Sequence, residues 1–483
     1  PLLPGAHHNT YSANPNTVSW SMSQRKETLV SLVSLLLTGV ALVGGLRWYQ
    51  STQSRLESRP PVESQQPLSS RISQGERVLL TTSPEKEAAA RGVSEGDEEE
   101  AIAQFEAALE QSRNDPEALI YLNNARIGSS KSYGIVASVP IGSDANAARE
   151  ILRGVAQAQN EINEAGGIGG IRLKVFVGDD NNDPEIARQL ARAYSQNREI
   201  LGVVGHFGSE TSLAAAQVYQ KEGVAMISPT STSVELSGKG EYIFRTVPSD
   251  RFAGSALADY LLETLQKKQG AVFYNAESTY SQSLKTVFTT ELYAQGGEIV
   301  AEFDFANGEF NAAEAVQSAI DSGAEAILLA PNSAVLDKAL QVVQVNDNRL
   351  PLLAGDSAYK PETLQVGRRD AVGMVLAVPW HSLGDPDSTF PETARQLWGG
   401  EVNWRTAIAY DAAQALIAAM AVNPTRQGIQ EVLSSTDFSA TGASDEIRFL
   451  PSGDRNQAVQ LVTIEPGERT NFDYEFVPIS PRN

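Results

Sequence analysis

From Tyr133 onward, short runs of β-branched and aliphatic residues alternate with stretches of about 10 to 15 residues whose apolar positions recur at helical spacing. The runs predict strands over 134–139, 173–178, 202–205, 225–227, 271–274, 298–303, 326–330, 352–355 and 373–378. Helices are predicted between them over 147–163, 184–196, 211–222, 251–266, 281–295, 311–322, 333–345, 391–397 and 404–420. Strict strand–helix alternation predicts right-handed βαβ units around parallel sheets. Eight or nine strands exceed one comfortable doubly wound sheet, so the pattern predicts an α/β fold of two parallel-sheet lobes. Ligands of such folds bind outside the carboxyl ends of the strands.

The first 130 residues follow other patterns. Residues 28–46 carry no charge and are long enough to span a bilayer at 1.5 Å per residue, which predicts a transmembrane signal anchor. The following Gly-Gly-Leu-Arg-Trp is a poor cleavage site, which favours an uncleaved segment over a signal peptide. Residues 1–27 are expected to be a disordered tail, with Met22 before Ser-Gln-Arg-Lys laid out like a start. Residues 47–95, rich in Ser, Gln, Pro, Arg and Glu, are expected to be a flexible linker. Residues 96–128 predict a helix pair broken at Asp115-Pro116, with Ala101, Phe105, Ala108 and Leu109 on one face and Leu119, Leu122 and Ala125 inward on the second helix. The order of these residues resembles part of a tetratricopeptide array, but one pair cannot form a solenoid. It therefore packs on the neighbouring domain or meets a protein partner.

Composition narrows the chemistry. The chain has 38 Lys plus Arg against 59 Asp plus Glu, a net charge of −21, and nothing supplies the basic face a nucleic acid needs. With no cysteine, disulfides, thiolate metal sites and a catalytic thiol are excluded. The four histidines, His7, His8, His206 and His381, are scattered, which leaves little material for a metal site or a histidine-based triad. There is no phosphate-binding Gly-Lys-Ser/Thr loop and no nucleophile-elbow serine. The run Asp179-Asp180-Asn181-Asn182-Asp183-Pro184 lacks the glycine and terminal glutamate of a calcium loop and reads as a capped strand-to-helix turn. These features point away from an enzyme and call for no metal or cofactor.

The informative block is VVGHFGSETSLAAAQVYQKEGVAMISPTSTSVEL, residues 203–236. A strand ends at Gly205, and Ser209, Glu210, Thr211 and Ser212 open a helix, so hydroxyls and free amides meet at the positive end of a helix dipole. The next strand delivers Ser228, Thr230, Ser231 and Thr232 to the same sheet edge. A ligand carboxylate fits there without a basic side chain; ordinary helix capping would account for Ser209 or Thr211 alone.

This block resembles the periplasmic branched-chain amino-acid (Leu/Ile/Val-type) binding proteins, the substrate-binding components of ABC transporters. Further support comes from INEAGGIGGIRLKV (162–175), DDNNDPEIA (179–187), YIFRTVPSD (242–250), NAESTYSQSL (275–284) and TGASDEIRFLPSGDR (441–455). The resemblance implies a type I periplasmic-binding-protein fold, with lobe 1 formed by 129–250 and about 379–450, and lobe 2 by 251–378 and about 451–483. It implies that Ser209 binds the ligand carboxylate, that Thr230, Ser231 and Thr232 hold carboxylate and ammonium, that Tyr280 closes over the ligand from the second lobe, and that Asp356 pairs with the ammonium. Ser281 stands where the family has a glycine, and Asn332 is a rim candidate. Trp380, His381 and Tyr410 are assigned to hinge or core. The loop 140–148, which lines the side-chain pocket in the family, reads Ile141-Gly142-Ser143-Asp144-Ala145-Asn146-Ala147 without an aromatic. That departure implies a roomier or more polar pocket, suited to another amino acid, an amide or a short peptide. The implied function is an extracytoplasmic receptor, tethered to the membrane and serving an ABC permease. The alternative is a ligand-sensing receptor that signals through the helix pair.

Overall fold

The computed structural model describes residues 67–443 and 446–479. The expected tail at 1–27, the anchor at 28–46 and the first part of the linker lie outside the described residues. Among the described residues no helix is long and apolar enough to cross a membrane.

The described chain opens with strand β1 (Ile72–Ser73) and helices α1 (Pro84–Glu95), α2 (Glu98–Gln111) and α3 (Pro116–Ile127). The expectation of a flexible linker is therefore corrected for residues 67–95: they are folded onto the first lobe. Each of the three helices starts at a side-chain cap, since Ser83, Asp97 and Asp115 accept from the amides of Lys86, Glu100 and Ala118. Pro84 and Pro116 occupy first-turn positions where no amide partner is lost. α1 escapes sequence reading because its inward face is short and includes a cation. Lys86 is buried and its ammonium is satisfied by Asp115 at 2.8 Å and Glu117 at 2.7 Å. Glu117 also accepts from the amides of Leu79 and Leu80, tying the preceding loop down.

The α/β body follows: β2 (Ser132–Val139), α4 (Ala145–Glu164), β3 (Arg172–Asp179), α5 (Pro184–Gln196), β4 (Ile200–Val204), α6 (Ser209–Glu222), β5 (Ala225–Ser228) and β6 (Ile243–Arg245) build the first lobe. The second comprises α7 (Asp250–Asp259), β7 (Gln269–Tyr274), α8 (Thr279–Ala294), β8 (Glu298–Asp304), α9 (Ala312–Asp321), β9 (Ala326–Ala330), α10 (Leu336–Asn346), β10 (Leu352–Ala354), α11 (Pro361–Gly367) and β11 (Val375–Val378). The chain then runs through α12 (Phe390–Trp398), α13 (Trp404–Val422), α14 (Arg426–Leu433) and the short pair β12 (Ala440–Thr441) and β13 (Glu446–Ile447) before β14 (Gln460–Pro466) and β15 (Tyr474–Pro478). All predicted strands and helices of the body occur, with ends within about two residues once adjoining 3-10 and π turns are counted. β6, α11 and the elements after α13 had no expectation, being short or weakly patterned.

The first sheet has the order β1-β3-β2-β4-β5-β6 and the second β15-β14-β11-β10-β9-β7-β8. β2 to β6 are parallel, with Ile135 opposite Val175 on β3 and Val136 opposite Val203 on β4. Only β1, β14 and β15 add antiparallel edges to these two sheets. The outer edge of β3 is covered residue by residue. β1 pairs at Gly178 and Val177, the Asn124 side chain donates to the Val175 carbonyl and accepts from its amide at 2.7 and 3.1 Å, and Asn163 does the same at Leu173. An open strand edge, a template for aggregation, is closed by two side-chain amides and a two-residue strand.

α13 returns to the first lobe and lies along α4. A methyl on Gly154 of α4 would strike the Thr406 carbonyl and the Tyr410 amide, so the close approach of these helices requires glycine there. The chain crosses between the lobes after β6, after β11 and before β14. Buried Arg245 braces the crossing, donating to Asp454 at 2.6 Å and to the carbonyls of Ser231 and Ser233.

Candidate functional site

The turn after β4 is built by hydroxyls. The His206 carbonyl accepts from Ser212 at 3.1 Å, Ser228 at 2.9 Å and Ser231 at 3.3 Å, and Thr230 donates to the Phe207 carbonyl at 2.9 Å. The His206 ring is fully buried, with Nδ1 at 2.6 Å from Asp180 and Nε2 at 3.1 Å from the Tyr219 hydroxyl. It orders the turn and has no access to a substrate. Much of the serine and threonine cluster is thus consumed in holding two carbonyls, which leaves the first amides of α6 turned to the cleft without a side-chain cap.

A cleft of about 550 Å³, open solvent at its mouth included, lies between the lobes. Strand ends deliver its walls: Asn182 after β3, Phe207 to Glu210 after β4, Thr230 after β5, Ser278 and Tyr280 after β7, Asn332 after β9 and Asp356 after β10. Of the sequence-derived candidates, Ser209, Thr230, Tyr280, Asp356 and Asn332 line this cleft, whereas Ser231 and Thr232 are buried behind it. The Ser231 hydroxyl is engaged with Ser212 at 2.7 Å, and the Thr232 hydroxyl stands beside the buried carboxylate of Asp250. Tyr280 donates to Asp356 at 2.8 Å. A methyl on Gly355 would strike the Tyr280 hydroxyl and Leu284, so glycine before Asp356 lets the tyrosine reach its acid. Ser281, in the place of a glycine, is buried and accepts from the Asn275 amide at 2.7 Å, which ties the turn instead of loosening it.

Burial raises the Asp356 carboxyl above its ordinary range, while Arg405 and the Tyr280 hydrogen bond pull it back. Burial likewise pushes Asp250 up to about 7, with the nearby Asp356 charge adding to the shift and the Ser283 and Thr232 hydroxyls opposing it. Trp380, His381 and Tyr410 stand outside the cleft walls. His381 is held by the Leu383 amide and brought down to about 4 by burial, and the Tyr410 hydroxyl donates to Glu161 at 2.7 Å.

Several wall residues were not anticipated from the sequence, among them Asn182, Phe207, Ser278, Ser357 and, at the start of α13, Trp404 and Arg405. For the last pair the available signal was Arg405 as the one cation in a helix that is otherwise almost wholly apolar around its circumference. The loop 140–148 contributes none of the cleft's wall residues. Its Asp144 caps α4 and pairs with Lys360 of the second lobe at 2.6 Å. Further contacts across the cleft run from Ser283 to the Val234 amide at 3.0 Å and from the Glu210 carboxylate to the Thr279 amide. Among the described residues no three His, Asp or Glu side chains are grouped to hold a metal ion.

Comparison with known proteins gives this architecture its place. The family model for periplasmic binding proteins matches residues 138–469. The chain belongs to the periplasmic binding protein family. Curated relatives include an amino acid binding protein of Pseudomonas aeruginosa, 31% identical over 193 residues, covering 40% of this chain and 51% of the relative. A leucine-specific-binding protein of Salmonella typhimurium is 34% identical over 154 residues, covering 32% of this chain and 41% of the relative. The matched part therefore spans about half or less of these relatives' length. Among solved structures, a leucine-binding protein from Thermotoga maritima superposes with a TM-score of 0.63 at 23% identity, over 72% of this chain and 99% of that one. A substrate-binding protein of Desulfitobacterium hafniense in complex with leucine gives 0.62 at 25% identity, over 72% and 100%. Both share the two-lobed α/β fold of this periplasmic binding protein, a receptor fold that is generally non-enzymatic.

Proposed function

We propose that the protein captures an amino acid in the interlobe cleft, outside the cytoplasm, and delivers it to an ABC permease. The observation that carries this reading is the division of chemistry between the lobes. The first offers uncapped helix amides with the hydroxyl of Ser209, which suit a carboxylate. The second offers Asp356 oriented by Tyr280, which suits an ammonium. A zwitterion bridges the two, and its charges favour the closed arrangement of the lobes. The ligands named for the relatives, leucine above all, support an amino acid as the class.

Thermal denaturation of the full chain against a panel of amino acids tests the reading, because a ligand bound only by the folded state raises the melting temperature. At least one amino acid is expected to give a shift that Asp356→Ala abolishes. Failure of every zwitterion to shift the transition would refute it. The apolar run at 28–46 would hold such a receptor at the membrane. The signalling alternative needed the helix pair as a docking face, but α3 is almost wholly buried against the first lobe.

A further inference from the structure

The start of α13 carries two donors that the protein itself does not satisfy. Trp404 and Arg405 are 1% and 3% exposed, and both line the cleft. The indole Nε1 of Trp404 and the guanidinium Nε of Arg405 are buried without a hydrogen-bond partner. Arg405 otherwise donates to two carbonyls, Tyr359 at 3.0 Å and Asp356 at 3.5 Å, and its guanidinium lies over the Trp404 ring, 4.3 Å from the centroid. Asp356, Asp144 and Glu150 act on Arg405 through space, in opposition to the burial that pulls its pKa down, yet among the described residues Arg405 forms no ion pair.

Native interiors pair nearly all buried donors, and a buried guanidinium without a contacting anion is costlier still. Two such donors on adjacent residues of one cleft wall form a cradle lacking its acceptor. They sit in the first turn of a 19-residue helix, whose dipole favours negative charge at that end. Asp356 does not fill the cradle: its Oδ1 accepts from the Tyr280 hydroxyl, and Arg405 reaches its backbone carbonyl, at 3.5 Å, while Nε stays unpartnered.

We infer that the ligand supplies the missing acceptor as a carboxylate on its side chain, so that the preferred ligand is an acidic amino acid. This rests on the zwitterion reading above. With the α-carboxylate at Ser209 and the α6 amides and the ammonium at Asp356, the side chain is left to the neighbouring wall formed by Trp404 and Arg405, the latter 3.5 Å from the Asp356 carbonyl. An aliphatic side chain would leave both donors unpaired, and a site built around polar groups rejects a ligand that cannot pair them.

Isothermal titration of the full chain with L-glutamate, L-aspartate, L-glutamine and L-leucine tests it. One acidic amino acid is expected to bind at least about tenfold more tightly than leucine or glutamine. Trp404→Phe, which removes the indole N–H and keeps most of the ring's bulk, should narrow that ratio by weakening the acid more than leucine. Arg405→Met should narrow it further. Leucine or glutamine binding as tightly as both acids, or a Trp404→Phe chain with an undiminished ratio, would overturn the inference and leave the amino-acid reading intact. Absence of binding by any of the four, together with a flat melting temperature across all amino acids, would remove both.

Discussion

Asp250 shows how a single residue behind the site couples its surroundings to pH. Its carboxyl is buried next to the crossing between the lobes and raised from 3.8 to about 7, so the folded state holds a proton that the unfolded chain has released. A raised carboxyl pKa removes stability as pH climbs from the unfolded value to the folded one, here from about 4 to about 7, and the loss is constant above that. Asp250→Asn is therefore expected to stabilise the protein increasingly over this window, by an amount on the order of a few kcal/mol at its upper end. Melting curves of both chains from pH 4 to pH 8 check this; a difference independent of pH would refute it. The same scale explains why the hydroxyl cluster divides. Ser209 and Thr230 reach the cleft because the α6 terminus and the end of β5 place them there, whereas Ser231 turns inward to the carbonyl of His206.

At the scale of elements, the three N-terminal helices are part of the first lobe. α3 gives its Asn124 amide to the edge of β3, where it takes the place of a neighbouring strand. Asn124→Ala removes the partner of a buried carbonyl and a buried amide together. It is expected to lower unfolding free energy by about 2–4 kcal/mol, measured by denaturant titration, since each orphaned group costs about 1–3 kcal/mol. A loss under about 0.5 kcal/mol would show that the edge is satisfied otherwise. The expectation of a flexible spacer up to Glu95 failed for a physical reason. A two-residue strand shows no alternation, and a helix whose buried side includes Lys86 reads as polar until its partners Asp115 and Glu117, contributed from the far side of α2, are seen.

For the whole molecule, the two lobes are joined across the cleft by side chains from both. Lys360 and Asp144 pair at 2.6 Å with about a tenth of each side chain exposed. Because separating the lobes would break this contact, Lys360→Ala should weaken ligand affinity by about threefold to tenfold. Unchanged affinity in calorimetry would exclude the pair from closure. The alternation of apolar runs and helical stretches determined the two-lobed α/β architecture, because period and length fix element type locally and chain order fixes parallel pairing. Ser209, Thr230, Tyr280 and Asp356 were singled out through the family resemblance, and each lies between the end of a strand and the first turn of the helix that follows. What only the tertiary structure decided is which of those side chains face the ligand space and what joins them there. Trp404 and Arg405 come from a helix start more than a hundred residues beyond Tyr280. They enter the wall because α13 packs back onto α4 at Gly154, a contact between distant segments that no local pattern encodes.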